Sequence, residues 1–300
     1  MVHMEKRLLR DFIGTKLMLG ITIVISVLFF IIFFILLARS IPLLGEASLQ
    51  EILFSSLWNP EKGSFGLAGI LVGTILVTGI SLLIAIPISL LCAIYISEYA
   101  HERIRHILRP FLDVLAGVPS VVYGLCAFIV LVPFTRDYLA PMFGVESTGL
   151  CVFTAAFILA IMVFPIIISL CIECFSAIPI ELKEASLSIG ATKWETVKKV
   201  IFKASRPSII SAILLGFGRA FGETIAVNMV VGGVPKIPGN LFNPAQTLAS
   251  LIASAYGEMM SVPLYESALM FVALLLFIVV VIFNILGALF LRRSRRRYRS

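Results

Sequence analysis

Long uninterrupted runs of apolar residues dominate the hydrophobic pattern of this chain. Five of these runs contain no charged residue, and a sixth contains only Arg219 and Glu223. The six runs are 17–38, 63–97, 114–135, 147–172, 207–235 and 267–291. Because a helix crosses the hydrocarbon core with about 20 apolar residues, each run is long enough to be a membrane span. The pattern predicts an all-α membrane protein with six transmembrane helices.

One further stretch without charges, residues 237–257, has a different character. It contains Pro238, Gly239 and Pro244 among several amide side chains. Irregular backbone of this kind is not tolerated where it faces lipid. We therefore expect an extramembrane loop that carries a short helix, with Asn243 as N-cap and Pro244 at the first helical position.

The composition and the distribution of charge agree with six spans. Of the 300 residues, 60% are hydrophobic and 14% are charged, whereas a soluble domain has about 25% charged residues. With the N-terminus inside, nineteen of the 24 basic residues lie on the inner side and four on the outer side. A seventh span at 237–257 would place the six C-terminal arginines outside, against the positive-inside rule. The sequence predicts a multi-pass protein of the cytoplasmic membrane with both termini cytoplasmic. We expect the first span to be retained as a transmembrane helix and not cleaved as a signal peptide.

The chain lacks the motifs of an enzyme or of a nucleotide-binding protein. No GxxxxGK[ST] phosphate loop is present, and no extramembrane segment is long enough for a nucleotide-binding domain. Cys171 and Cys174 form a CxxC without further metal ligands, so all five cysteines are interpreted as small apolar filler. The basic tail at 292–300 directly follows a span, which favours a topology and anionic-lipid anchor over nucleic-acid binding. We expect no cofactor in this chain.

The cytoplasmic segment between the fourth and fifth runs predicts a short helix at the membrane surface. Pro179 can open it, and Leu182, Ala185 and Ile189 fall on one face. Gly190 follows where a left-handed C-cap is needed.

A second helix is predicted directly after this glycine. Thr192 and Glu195 have the spacing of a capping box, and the helix runs on to Pro207, which can open the fifth span. The small side chains of Ala185 and Ser186 would let the first helix sit in another protein's groove. The alternative is an amphipathic helix that only anchors the loop at the interface.

Glu184-Ala185-Ser186, followed after three residues by Gly190, resembles the EAA-loop of binding-protein-dependent ABC importer permeases. In that family the loop docks into the ATPase subunit and transmits its motion. Two positions depart from the family pattern. Ser186 replaces the second alanine, and Phe202-Lys203 stands where Leu-Pro is usual.

Further motifs narrow the resemblance to the PstC-type permeases of phosphate importers. These motifs are Trp58-Asn-Pro60 with Phe65-Gly66 and Gly73-Thr74, then Gly117-Val-Pro-Ser120-Val-Val-Tyr-Gly124, and Gly218-Arg-Ala-Phe-Gly-Glu-Thr-Ile-Ala-Val227. In the sister PstA-type permeases Ala-Pro usually follows Gly-Glu-Thr, whereas this chain has Ile225-Ala226. The matches cover roughly residues 58–255.

The resemblance implies a type I ABC importer permease fold. Its transmembrane domain would occupy 66–291, after an N-terminal part at 1–65 and before a tail at 292–300, with a coupling helix at about 180–190. The implied partners are a second, PstA-like permease, two copies of an ATPase that bind ATP and magnesium, an extracytoplasmic phosphate-binding protein and the lipid bilayer. Glu184, Ala185, Ser186 and Gly190 would contact the ATPase.

Arg219 and Glu223 are the only charged residues deep within a run. Arg219 lies about 18 Å along the fifth span when the span is measured from Pro207. A charged side chain at this depth is costly and faces a cavity or a partner helix. At i and i+4 the two side chains can pair, and Gly218 and Gly222 form a GxxxG that lets another backbone approach.

Together with the resemblance, this placement predicts a pathway for a tetrahedral oxyanion. Arg219 would bind the anion, and Glu223 would hold Arg219 between passages or accept a hydrogen bond from a protonated phosphate. Thr224 would donate a hydrogen bond, and Ser120 and Tyr123 would line the pathway. The alternative is a structural ion pair with a second subunit.

The sequence thus predicts a permease subunit that imports inorganic phosphate by alternating access, with ATP hydrolysed by a separate subunit. A permease for sulfate or molybdate is the nearest alternative, because either anion also suits an arginine. An anion transporter driven by an ion gradient is an alternative of another class. It would need no docking loop for an ATPase.

Overall fold

The computed structural model describes residues 2–257 and 263–297, and helices dominate this part of the chain. The helices are α1 (Val2–Glu46), α2 (Leu49–Phe54), α3 (Ala68–Tyr99), α4 (Glu102–Gly117), α5 (Ser120–Met142), α6 (Val152–Ser176), α7 (Ile180–Ser188), α8 (Lys193–Gly222), α9 (Ile225–Val230), α10 (Leu248–Ala255) and α11 (Pro263–Arg297). Within the described residues, the six helices α1, α3, α5, α6, α8 and α11 are long and apolar enough to cross a membrane. The prediction of six spans is confirmed.

The centre of the bundle is α6, which packs along α3 and α8. Its buried residues include Ile167, Cys171 and Phe175, all fully shielded from solvent. On α8, Gly216 allows the close approach, because a Cβ at this position would lie 2.8 Å from Ile167 Cδ1 and 3.1 Å from Val163 Cγ1. α1 differs from this core, because no residue in its most apolar stretch is buried within the chain.

A second packed layer closes one end of the bundle. A short hairpin, made of the two-residue strands β1 (Trp58–Asn59) and β2 (Ser64–Phe65), packs with α10 and the start of α11. Here the rings of Trp58 and Tyr265 meet edge-on, with 6.1 Å between their centroids. The loop before α10 crosses α3 at Gly73, which has no Cβ and so leaves room for the Gln246 carbonyl. The backbone N–H of Leu248 donates to Thr74 Oγ1 at 2.9 Å. The interaction attaches the loop to the bundle.

The short helix predicted inside 237–257 exists, but its predicted start is wrong. α10 begins at Leu248, and its N-cap is Thr247, whose Oγ1 accepts from Ser250 N in a reciprocal capping box. The carbonyl of Asn243 instead accepts from Val152 N at 3.2 Å, which commits this residue to the loop. Pro244 packs against Gly232.

The predicted third run contains a break that the apolar pattern did not show. The amphipathic helix α4 ends at Gly117, and α5 begins only at Ser120, so a start at Val114 is wrong. Pro119 explains the break, because it has no N–H to donate and it disfavours helical backbone at Val118.

The fifth run differs from the prediction at both ends. Its helix α8 begins at Lys193 and passes through Pro207, so Pro207 does not open it. The Thr192–Glu195 capping box was predicted correctly and starts this same long helix. At the other end α8 stops at Gly222, and the short helix α9 follows after Glu223 and Thr224. The depth of Arg219 is unaffected, since the lysines of the first α8 turns keep those turns outside the hydrocarbon core.

Of the other spans, α1 and α11 extend beyond their predicted runs at both ends, whereas α3 and α6 begin later and end slightly later than theirs. α1 runs from Val2 to Glu46, and α11 continues as a helix through Arg297 into the predicted basic tail. Residues 298–300 of that tail lie outside the described residues. All five cysteines are free thiols, and among the described residues no group of His, Cys, Asp or Glu could hold a metal ion.

We expect Gly216→Leu to weaken the contact between α8 and α6. The added side chain would overlap Ile167, and overpacking of this kind costs about 1–3 kcal/mol. The measurement is the thermal unfolding midpoint of the purified membrane protein. Gly79→Leu is the matched control, because a Cβ at Gly79 meets nothing within 4 Å. Equal midpoints for the two variants would contradict this packing.

Candidate functional site

Two broken spans meet inside the bundle, and their contact defines the candidate site. The first turns of α5 pack against α9. Gly124 makes this possible, because a Cβ there would lie 2.7 Å from Met229 Sδ and 3.0 Å from Ala226 Cα. The candidate site therefore lies where the first turns of α5 contact α9, just after the break before Ser120 and the break at Glu223.

The break before α5 is bridged by Tyr123. This side chain is buried, and its hydroxyl donates to the carbonyl of Leu115 at 2.8 Å. The bond joins the last turn of α4 to the first turns of α5 across the proline. Ser120 is the first residue of α5 and is half-buried. The hydroxyl of Tyr123 therefore has a structural bond, which the prediction of a pathway-lining role did not include.

The break between α8 and α9 is bridged by Glu223. Its Oε1 accepts from the backbone N–H of Ala226 at 3.3 Å, which caps the start of α9. Thr224 Oγ1 donates to the Gly222 carbonyl at 3.0 Å. The predicted pairing of Glu223 with Arg219 is wrong for this structure, because α8 ends at Gly222 and Glu223 leaves the helical spacing with extended backbone. Among the described side chains, neither residue takes part in an ion pair.

Arg219 lies in the last turn of α8, next to this break. Its side chain is half-buried, and its Nε is a buried donor without a hydrogen-bond partner among the described residues. Gly218 and Gly222 border open space, since a Cβ at either position meets nothing within 4 Å. Within the described part of the chain no other helix makes the predicted close contact at this GxxxG, so this side of α8 is open to a partner or a pathway.

The predicted ATPase-contacting residues lie on and after α7, and most of them are accessible. Glu184, Ala185 and Gly190 are exposed, and Gly190 has the predicted left-handed backbone with φ of 84°. Ile189 next to Gly190 is an apolar side chain that is 84% exposed.

Ser186 corrects one part of the prediction. It is buried, and its hydroxyl hydrogen-bonds with Thr196 Oγ1 at 3.0 Å. Its small side chain fits against the start of α8 in the same chain, so it is not available for another protein's groove.

One feature near α7 was missed by the sequence reasoning. Lys183 Nζ and Glu98 Oε1 form an ion pair at 2.7 Å, although 85 residues separate them along the chain. Glu98 directly follows the apolar run 63–97, and this position at the end of a span was the available signal. No periodicity links it to Lys183, so only the fold brings the two together.

Comparison with known proteins gives the family of this arrangement. A family model described as "Binding-protein-dependent transport system inner membrane component" matches residues 85–300. The chain belongs to this family. It is therefore a multi-pass membrane permease subunit, as the loop motif predicted.

Relatives of this permease cover most of its length. PstC, the phosphate transport system permease protein of Xylella fastidiosa strain Temecula1, is 35% identical over 84% of this chain and 83% of the relative. A probable PstC from Methanocaldococcus jannaschii is 33% identical over 97% of this chain and 96% of the relative. The PstC of Haemophilus influenzae is 33% identical over 90% of this chain and 92% of the relative. The predicted resemblance to PstC-type permeases is confirmed.

Solved structures of ABC transporters share the fold of this permease. A chain of the MetNI methionine ABC transporter, in an inward-facing conformation, aligns with a TM-score of 0.61 at 20% identity, covering 79% of this chain and 99% of that chain. A chain of a bacterial ABC transporter involved in alginate import gives a TM-score of 0.62 at 16% identity, covering 96% of this chain and 99% of that chain. The predicted ABC importer permease fold is confirmed.

We expect Glu223→Ala to destabilise the start of α9, whereas Glu223→Gln keeps an oxygen that can accept from Ala226 N. Loss of an N-terminal capping acceptor costs about 0.5–2 kcal/mol. Thermal unfolding of the two purified variants beside the unmodified permease measures the difference. An alanine variant as stable as the glutamine variant would contradict the capping role.

Proposed function

We propose that this chain is a permease subunit of an ATP-driven importer that moves inorganic phosphate across the cytoplasmic membrane. The observation that carries the proposal is Arg219, whose buried Nε has no partner among the described residues. A charged side chain at membrane depth is retained where it meets a ligand, a cavity or a partner. The PstC relatives, which are named as phosphate permeases over most of this chain, support phosphate as the ligand.

The chemistry of the site fits a partly protonated oxyanion. A guanidinium donates two parallel hydrogen bonds to phosphate oxygens and stays charged at any physiological pH. Glu223 has a second carboxylate oxygen besides the capping Oε1, and this oxygen would accept a hydrogen bond from the P–OH of monoprotonated phosphate. Thr224 would release its bond to Gly222 and donate to the anion, while Ser120 and Tyr123 would line the path on the α5 side.

The permease would work with several partners. A PstA-like permease would cover the open side of α8 at Gly218 and Gly222 and supply the other half of the pathway. Two ATPase subunits would dock on Glu184, Ala185 and Gly190 from the cytoplasm. ATP and magnesium would bind to these subunits and not to this chain. An extracytoplasmic phosphate-binding protein would deliver the anion at the opposite face. Both termini would be cytoplasmic, as the basic residues indicate.

The mechanism would be alternating access. Closure of the ATPase pair would move the two docking helices towards each other and open the pathway to the outside. The anion would pass from the binding protein to Arg219, whose fixed charge attracts it without a chemical step. Release of ADP and phosphate from the ATPases would reverse the motion and expose Arg219 to the cytoplasm.

We expect Arg219→Gln to lower phosphate uptake by about tenfold or more, since a hydrogen bond to a charged group contributes about 1.5–3 kcal/mol. The measurement is the initial rate of radiolabelled phosphate uptake in cells that depend on this permease, with membrane insertion checked. Arg136→Gln is the control, because Arg136 is exposed and pairs with the neighbouring Asp137. Uptake by the Arg219 variant at the control rate would exclude the pathway role.

We expect Gly190→Ala to reduce retention of the ATPase on the purified permease. Alanine in this left-handed position costs roughly 1–2 kcal/mol and would shift the end of α7. Gly144→Ala is the matched control, because Gly144 also has positive φ and open space, with φ of 68°. The ATPase bound per permease is measured by affinity capture. Equal loss of ATPase in both variants would indicate general destabilisation and contradict docking at Gly190.

A further inference from the structure

The helix α7 is attached to the rest of the bundle through very few side chains. It has nine residues, and seven of them are exposed. Only Lys183 and Ser186 turn inwards, one helical turn apart on the same face. Whatever moves α7 must therefore act on the bundle through these two side chains or through the chain connections at its ends.

The two inward side chains bind different spans. Ser186 hydrogen-bonds with Thr196 at the start of α8, which the chain already joins to α7. Lys183 pairs with Glu98 at the end of α3, at 2.7 Å, and its Nζ also lies 3.5 Å from the Phe175 carbonyl of α6. The side chains of Lys183 and Glu98 are only 17% and 10% exposed. The pair is thus shielded from solvent and from salt more than a surface pair would be.

The end of α3 is built to hold Glu98 in place. The last five residues, Tyr95–Tyr99, form a wide π-helical turn. Arg105 from α4 donates to the carbonyls of Ile96 and Ser97 at 3.1 Å and 2.6 Å, which satisfies acceptors that the widened turn leaves open. Ser97 Oγ donates to Glu98 Oε1 at 3.0 Å. A π turn of this kind is frequently found at functional positions.

A second contact joins the same turn to the start of α8. Lys193 Nζ lies 4.8 Å from the centre of the Tyr99 ring, a cation–π geometry. The end of α3 therefore contacts the segments on both sides of Gly190. α3 has no direct chain connection to α7, so these contacts are its direct link to α7, beside the indirect one through its packing along α6.

From this geometry we infer that Lys183 and Glu98 are positioning residues that pass the displacement of α7 directly to α3. The inference deepens the proposed function, since it rests on docking of an ATPase at α7. Breaking the pair leaves α7 joined to α6 and α8 through the chain, so α3 would follow a movement of α7 only indirectly and with a delay. Because α3 packs along α6 through the bundle centre, its delay would uncouple ATP hydrolysis from opening of the pathway.

The test uses the complete complex in proteoliposomes, with phosphate uptake and ATP hydrolysis measured in the same vesicles. Glu98→Gln and Lys183→Gln are each expected to lower the phosphate transported per ATP by roughly fivefold or more, the range of a typical coupling between sites. Lys199→Gln is the matched control and is expected to keep the ratio, because Lys199 forms an exposed pair with Glu195 in the neighbouring helix.

A charge exchange separates a specific pair from a general need for each residue. Glu98→Lys and Lys183→Glu are each expected to uncouple the complex, and the double variant is expected to recover most of the ratio. An unchanged ratio in Glu98→Gln would overturn the inference. So would a double variant no better than either single reversal. If a single variant fails to assemble with its partners, the double variant decides in the same way.

A second readout does not depend on the anion transported. Amide hydrogen exchange is followed in the complex with and without ATP and vanadate. In the unmodified complex the nucleotide is expected to change exchange in both α7 and the Tyr95–Tyr99 turn, and in Glu98→Gln only in α7. A change that persists in the turn would overturn the inference. Absence of phosphate uptake by the unmodified complex would instead contradict the proposed function.

Discussion

The structure depends on one constraint, which is that backbone polar groups inside a membrane must find partners within the protein. Two spans of this permease are broken, before Ser120 and at Glu223, and each break leaves backbone groups without helical partners. In each case a side chain at the break or in the turn after it bonds to a backbone group of the adjoining helix. Tyr123 donates to the Leu115 carbonyl, and Glu223 accepts from Ala226 N. Gly124 lets the first turns of α5 pack on α9, so the helical segments that follow the two breaks contact each other.

The break at Glu223 explains why Arg219 has no ion-pair partner among the described residues. A helix that continued past Gly222 would put Glu223 one turn above Arg219 and neutralise it within the chain. The break instead turns Glu223 away to cap α9, so the guanidinium keeps an unpartnered donor. A charge that is held by the fold but left unpaired is ready to interact with an anion or with a second subunit. The bundle thus keeps its backbone satisfied while one side chain remains available.

The segment around α7 is packed much less densely than the central span α6. α7 shows most of its surface to solvent, and its side-chain hydrogen bonds to other helices in the described part of the chain come from Lys183 and Ser186. A helix with so few internal contacts has low local stability. Under the proposed docking of an ATPase, this exposed helix would receive the motion, and the densely packed α6 would carry it through the bundle.

Much of this could be predicted from the sequence, because the signals are local. Long apolar runs identified six spans, the Thr192–Glu195 box identified a helix start, and Gly190 identified a left-handed turn. The predictions that were wrong concern places where two local signals compete. Asn243 has the chemistry of an N-cap, but Thr247 with Ser250 makes the better reciprocal box. Hydropathy alone could not show the breaks at Pro119 and Glu223, since each lies inside a run that is long and apolar enough to be a single span.

The partners of Ser186 and Lys183 could not be predicted for another reason. Thr196 is ten residues from Ser186, and Glu98 is 85 residues from Lys183, so no short-range pattern relates them. Their contacts depend on how α3, α6 and α8 pack, which follows from small residues such as Gly216 throughout the bundle. A candidate site residue can therefore be predicted from its neighbours in the sequence. Its hydrogen-bond or ion-pair partner depends on the whole fold.

The most direct test of the account is transport by a purified complex of this chain with its partner permease, ATPase and binding protein in sealed vesicles. Radiolabelled phosphate uptake is measured with and without ATP, and with an excess of unlabelled sulfate or molybdate. The account predicts uptake that requires ATP and is unaffected by the competing anions. Uptake driven by an ion gradient without ATP, or uptake of sulfate in preference to phosphate, would contradict it.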